Sequence, residues 1–124
     1  MILVDTSVWV DHFRQGDAKL IELLNANSVV MHPFVIGEIA CGSLADRETT
    51  LDLLQSLPPA AVAETEEILA FIESQNLFGK GIGYVDVHLL ASAALARIKL
   101  WTRDKRLLVV AGELGYGQSK VREH

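Results

Sequence analysis

Apolar residues follow two rhythms along this chain. Short, wholly apolar runs mark strands buried on both faces, and longer stretches with apolar residues three or four apart mark amphipathic helices. Ile2 to Val4 is a run of the first kind and ends at Asp5. Thr6 or Ser7 can cap a helix through about Arg14 with Val8, Trp9 and Phe13 inward. Gly16 and Asp17 turn the chain into a second helix striped by Leu20, Ile21, Leu23 and Leu24. Ser28 to Met31 reads as a second strand, and Pro33 suits the first turn of a helix reaching about Gly42. A helix over Asp46 to Ser56 carries Leu51 and Leu54, with Leu57 just beyond, and its Asp46-Arg47-Glu48 start reads as a solvated face. After the Pro58-Pro59 breaker come a weak third strand, Ala61 to Ala63, and a helix from Glu64 to Gln75 with Ile68, Phe71 and Ile72 inward.

Gly79, Gly81 and Gly83 form a flexible loop ahead of an almost entirely apolar helix from Asp86 to Ile98. Leu100 to Thr102 is a fourth strand and Lys105 to Ala111 a short helix, with an edge strand and tail in the last dozen residues. Strands alternating with helices imply an α/β protein with a parallel sheet covered on both faces. In such sheets ligands bind beyond the carboxyl ends of the strands, where strand order reverses. Residues just after each strand are therefore the place to look for chemistry.

At 124 residues the chain has the size of a single domain spanning 1–124, and at 50% apolar content it can bury a core without staples. The one cysteine, Cys41, lies in an apolar run and reads as a small buried hydrophobe. An unpaired cysteine, no basic leader before Asp5 and no apolar run near the roughly 20 residues that span a bilayer give the expectation of a cytoplasmic protein, not a membrane one.

Four acids stand out. Asp5 closes the first strand and Asp104 lies two residues past the fourth. Glu38 sits in a helix apolar on every other side: either it takes that helix's one exposed position or, if buried, its ionised group is expensive without a cation, and no Lys or Arg occurs between Lys19 and Arg47. Asp86 opens the apolar sixth helix and reads as its N-cap. Asp5, Asp86 and Asp104 each have a capping explanation; Glu38 has none. Crowded together, four carboxylates repel unless cations intervene, and an oxygen-only set suits Mg²⁺ or Mn²⁺. Such ions activate water and stabilise the leaving oxygen of a phosphodiester. The net charge of −5 lacks the usual basic footprint of a nucleic-acid binder, but offsetting these four acids leaves only −1.

Four segments, Leu3-Val4-Asp5-Thr6-Ser7-Val8-Trp9, the Glu38 helix, Gly83 to Ala91, and Trp101-Thr102-Arg103-Asp104-Lys105-Arg106-Leu107, together resemble the PIN-domain ribonucleases. More narrowly, they resemble VapC-type toxins of toxin–antitoxin pairs. The resemblance implies a PIN-like three-layer sandwich around a parallel sheet of about five strands, and a Mg²⁺- or Mn²⁺-dependent endoribonuclease. It places Asp5, Glu38, Asp86 and Asp104 at the family's four acidic positions, with Asp5 and Asp86 as direct ligands and Thr6 and Thr102 orienting carboxylates. It also implies a VapB-type antitoxin and a homodimer.

Trp9, Phe13 and the second helix are candidates for the antitoxin groove, though Trp9 and Trp101 read better as core. Arg14, Lys80, Arg103 and Lys105 are candidates for RNA phosphates. His88 reads as a satisfied structural histidine. The glycine run before Asp86 departs from the family pattern. A phosphatase using a nucleophilic aspartate wants a second Asp where Ser7 stands, and a receiver domain wants one closing the third strand; both are disfavoured. The alternative left is a PIN-like module that binds RNA or a partner without cutting.

Overall fold

The computed structural model describes residues 1–118. Three short parallel strands form its sheet: β1 (Ile2–Val4), β2 (Val29–Val30) and β3 (Lys99–Trp101), in the order β2-β1-β3. Ile2 pairs with Val29 on one side and Lys99 on the other, and Val4 pairs with Trp101. Two single bridges extend the array, Met31 to Pro59 outside β2 and Leu100 to Gly117 outside β3. The expected strand at 61–63 is absent, and its pairing is reduced to the bridge at Pro59. The bridge uses the Met31 and Ala60 amides, and the next bond toward 61–63 would need an amide from Pro33, which has none, so the chain leaves the sheet almost at once. At the other edge the fifth strand is likewise a single bridge, and the expected tail beyond it lies outside the described residues.

Among the described residues, seven helices cover the sheet: α1 (Thr6–Gln15), α2 (Ala18–Asn25), α3 (Pro33–Ala40), α4 (Arg47–Gln55), α5 (Thr65–Ser74), α6 (Tyr84–Ala96) and α7 (Lys105–Leu114). The architecture is the expected α/β arrangement of helices flanking a parallel sheet, with fewer full strands among the described residues than the expected five. Helix α6 is buried at every position from Val87 to Ala93, which explains its nearly continuous apolar sequence. It starts two residues before the expected Asp86, because Gly83 takes the N-cap position and Asp86 folds back from the third helical position to accept the Gly83 amide at 2.9 Å. Helix α7 runs three residues past its expected end and stops at Gly115, which has a left-handed φ of 86°.

The core is built from Leu3, Val4, Val8, Trp9, Leu20, Ile68, Leu89, Leu90, Leu100 and Leu107, with Trp101 beside them. Both tryptophans are thus core residues. Phe13 and Ile21, expected inward, are 39% and 45% exposed. β1 lies between the other strands, so strand order reverses there, and the crevice beyond its carboxyl end receives whatever follows β1 and β3.

Candidate active site

Asp5 leaves β1 at that crevice and is 6% exposed. It occupies the N-cap position of α1 by backbone geometry, yet its side chain makes no capping bond. Instead one oxygen, Oδ2, accepts two hydroxyls, Ser7 Oγ at 2.8 Å and Thr102 Oγ1 at 2.7 Å. These hydroxyls are themselves fixed. Ser7 Oγ accepts the Arg103 amide at 2.9 Å, and Thr102 Oγ1 accepts the Asp104 amide at 3.1 Å. The segment after β3 is thereby tied to the carboxylate after β1. Thr102, expected to orient a carboxylate, donates its hydroxyl to Asp5. Ser7, expected only as a cap, does equivalent work, and its signal in the sequence was a hydroxyl two residues beyond the acid.

Asp104 does cap α7, its Oδ1 accepting the Leu107 amide at 3.0 Å. Glu38 accepts the Thr6 hydroxyl through Oε1 at 2.6 Å, tying α3 to the start of α1. Glu38 is exposed, however, and so are Pro33, Phe34 and Gly37 on the same helix. Helix α3 is less buried than its apolar sequence suggests, because part of its apolar surface faces an open cleft. Cys41 at the end of α3 is exposed for the same reason, not buried as its apolar setting suggested.

A shared feature joins the four acids. Each has one oxygen held by a protein donor, and its other oxygen meets no donor among the described residues. None forms a salt bridge there either. Burial raises the Asp86 pKa above its ordinary value; the Gly83 amide opposes this, and the charges of Asp5, Asp104 and Glu38 add to the rise. Asp5, Asp104 and Glu38 thus each lie within electrostatic reach of Asp86. Among the described residues no three acidic, His or Cys side chains are drawn close enough to chelate an ion as they stand. The donor set itself, four carboxylates each with a spare oxygen, fits a hard divalent cation.

The basic candidates divide. Arg103 bonds to Asp11 at 2.8 Å and to Asp17, and lies over the Trp101 ring, 5.5 Å from its centroid. Burial works against its charge, but the two acids outweigh this and raise its pKa. Its guanidinium is committed to the protein, so it is withdrawn as an RNA contact. Arg14 pairs with Asp11 at 3.2 Å on the exposed surface of α1. Lys80 reaches Glu113 at 3.7 Å, and Lys105 makes no salt bridge among the described residues.

His88 is buried, packed edge-on against Phe34 and Tyr84 with centroids 4.6 and 4.7 Å away. It is structural in its packing, but its Nδ1 has no partner among the described residues, so it is not the satisfied histidine expected. Burial lowers its pKa, and burial together with the neighbouring His88 lowers that of His32 to about 4. Both rings are therefore neutral packing groups at ordinary pH.

The PIN domain family model matches residues 2–113, so the chain belongs to the PIN-domain family. It is 47% identical to Ribonuclease VapC32 of Mycobacterium tuberculosis over 116 residues, 93% of this chain and 94% of that protein, in both strain CDC 1551 / Oshkosh and strain H37Rv. That likeness places it with the VapC-type members of the family. Among solved structures, a chain from the structure of FitAB bound to IR36 DNA fragment superposes with a TM-score of 0.57. The match covers 90% of this chain and 91% of that one at 18% identity, a likeness of fold.

Proposed function

We propose that this chain is a Mg²⁺- or Mn²⁺-dependent endoribonuclease, the toxin of a type II toxin–antitoxin pair. The observation that carries the reading is that Asp5, Glu38, Asp86 and Asp104 each keep one oxygen without a donor or a salt bridge among the described residues, while Asp5, Asp104 and Glu38 lie near enough to Asp86 for their charges to raise its pKa. Nearly half-identical sequence to a ribonuclease across almost the whole chain supports the same conclusion.

Asp5 and Asp86 would hold the ion most directly, with Glu38 and Asp104 completing the set or orienting water. The bound ion would supply an activated water and stabilise the departing oxygen of a phosphodiester. The chain's own contribution is to fix the ligands. Ser7 and Thr102 pin one Asp5 oxygen so that the other points free, and Thr6, the Gly83 amide and the Leu107 amide do the same for Glu38, Asp86 and Asp104. Ligands held in advance lower the ordering cost of binding an ion.

A cleft of about 330 Å³, lined by Val10, Phe13, Arg14, Glu38, Ile39 and Leu44 among others, opens directly onto Glu38. Its apolar walls and the adjacent acid suit an antitoxin segment carrying apolar side chains and a base. Phe13 belongs to this wall. Trp9, buried beneath it, does not. A homodimer is expected of the toxin.

The test is direct. Incubated with total RNA, the purified chain is expected to cut when Mg²⁺ or Mn²⁺ is present and not in EDTA. Asp5→Ala should remove cutting while leaving the circular dichroism spectrum unchanged. Cleavage that persists in EDTA, or full activity in both Asp5→Ala and Asp86→Ala, overturns the proposal.

A further inference from the structure

The glycine run before Asp86 lies against the first turn of α7. Gly81 has a φ of 80°, and a Cβ placed on it would lie 3.0 Å from the side chain of Arg106. A residue with a side chain would therefore be strained in its backbone and would also press on Arg106. The bare glycine lets the Arg106 side chain lie across the loop. Beside it opens a cleft of about 300 Å³ lined by Lys80, Lys105, Arg106, Val109, Val110 and Glu113.

Three cations face one anion there, in a protein whose net charge is −5. Lys105 and Arg106 occupy the first turn of α7, where a positive charge opposes the helix dipole, so their placement does not serve the helix. Neither forms a salt bridge among the described residues. The walls of this cleft are the two segments that position the acids. Lys105 and Arg106 directly follow Asp104, and Lys80 lies in the loop whose Gly83 amide is bound by Asp86.

We infer that this cleft grips the phosphate backbone of the RNA on one side of the scissile bond, with Lys80, Lys105 and Arg106 as its contacts and Gly81 as the residue that seats Arg106. The inference rests on the ribonuclease reading for its choice of polyanion, and binding can be measured apart from cutting. Cations at a backbone contact weaken with salt in proportion to the phosphates they neutralise.

The experiment uses an Asp5→Asn parent in Mg²⁺, with a fluorescein-labelled single-stranded RNA of twelve nucleotides read by anisotropy across a KCl series. Adding Lys80→Ala, Lys105→Ala and Arg106→Ala should weaken binding at least about tenfold at 100 mM KCl. The slope of log affinity against log salt should become shallower by about 2, at roughly 0.7 per lost phosphate contact on a single strand. Gly81→Ala should give a smaller loss. Glu113→Gln, which removes the cleft's one acid, should tighten binding about twofold, a gain that damage to the fold would not produce. No binding by the parent, or equal affinity and slope in parent and triple variant, overturns the inference. A wild-type protein that binds through these residues yet cuts no RNA would sink the ribonuclease reading and leave the cleft standing.

Discussion

Two acidic clusters lie near the carboxyl end of the sheet, and they are built on opposite principles. Asp11 and Asp17 converge on Arg103, which bonds to both and stacks over Trp101. Burial acts against the charge on Asp17, but the Leu20 amide and Arg103 outweigh it, and the Asp17 pKa falls below its ordinary value of 3.8. Asp5, Glu38, Asp86 and Asp104 have no such partner. Their donors are hydroxyls and backbone amides, each directed at one oxygen, and Asp86 is pushed above its ordinary value. The first cluster is internally neutralised and ties loops together. The second keeps uncompensated negative charge, which costs stability and suits a site waiting for a cation.

The largest separation between the clusters should appear in activity. Asp5→Ala is expected to lower the RNA cleavage rate by more than about 100-fold, beyond the roughly 10–100-fold typical of groups that merely support a metal ligand. Asp11→Ala should leave the rate within about twofold. A comparable loss from both would erase the distinction. Thr102→Val, which removes one of the two hydroxyls on Asp5, falls in that supporting range. Its expected signature is a roughly 10–100-fold higher Mn²⁺ concentration for half-maximal cleavage.

Stability should respond in the opposite sense. Arg103→Ala leaves Asp11 and Asp17 without their shared partner and is expected to cost about 1 kcal/mol in urea unfolding, the upper end for a largely solvated pair. Half-maximal Mn²⁺ should stay unchanged. The smallest effects are pH-dependent and differ in sign. The raised Asp86 pKa means that folding favours its neutral form, a contribution present below pH 3.8 and lost as pH rises through the raised value. Asp86→Asn should therefore stabilise the metal-free protein at pH 7 and lose that advantage in acid. Asp17 contributes above pH 3.8 and loses its contribution as pH falls through its lowered value. Asp17→Asn should destabilise at pH 7. Urea titrations at pH 7 and pH 4 check the difference in sign. The advantage of Asp86→Asn should shrink at pH 4. Asp17→Asn should still destabilise there, because pH 4 lies above both the ordinary and the lowered value of Asp17.

These clusters also mark what the sequence could reveal. The order of strands and helices was legible because each apolar run is short and each helix has its own period, and the acids after β1 and β3 followed from that order. The state of Glu38 was not legible. An apolar helix looks the same whether its side chains fill a core or line a cleft, and α3 does both. The same ambiguity concealed the exposure of Cys41. Gly83 and Asp86 were both plausible starts for α6. The glycine followed three residues later by an acid was the signal for a carboxylate folding back onto the N-cap amide, and reading Asp86 alone missed it. Arg103 looked like one more surface cation because its partners are 92 and 86 residues away in sequence. Long-range ion pairs leave no local pattern.

The account turns on whether the spare oxygens hold a divalent cation. Calorimetric titration of Mn²⁺ into the metal-free protein at pH 7, compared with the Asp5→Asn/Asp86→Asn double variant, measures this directly. Saturable binding by the wild type that disappears in the double variant is the predicted result. No binding by the wild type, or equal binding by both proteins, would contradict it.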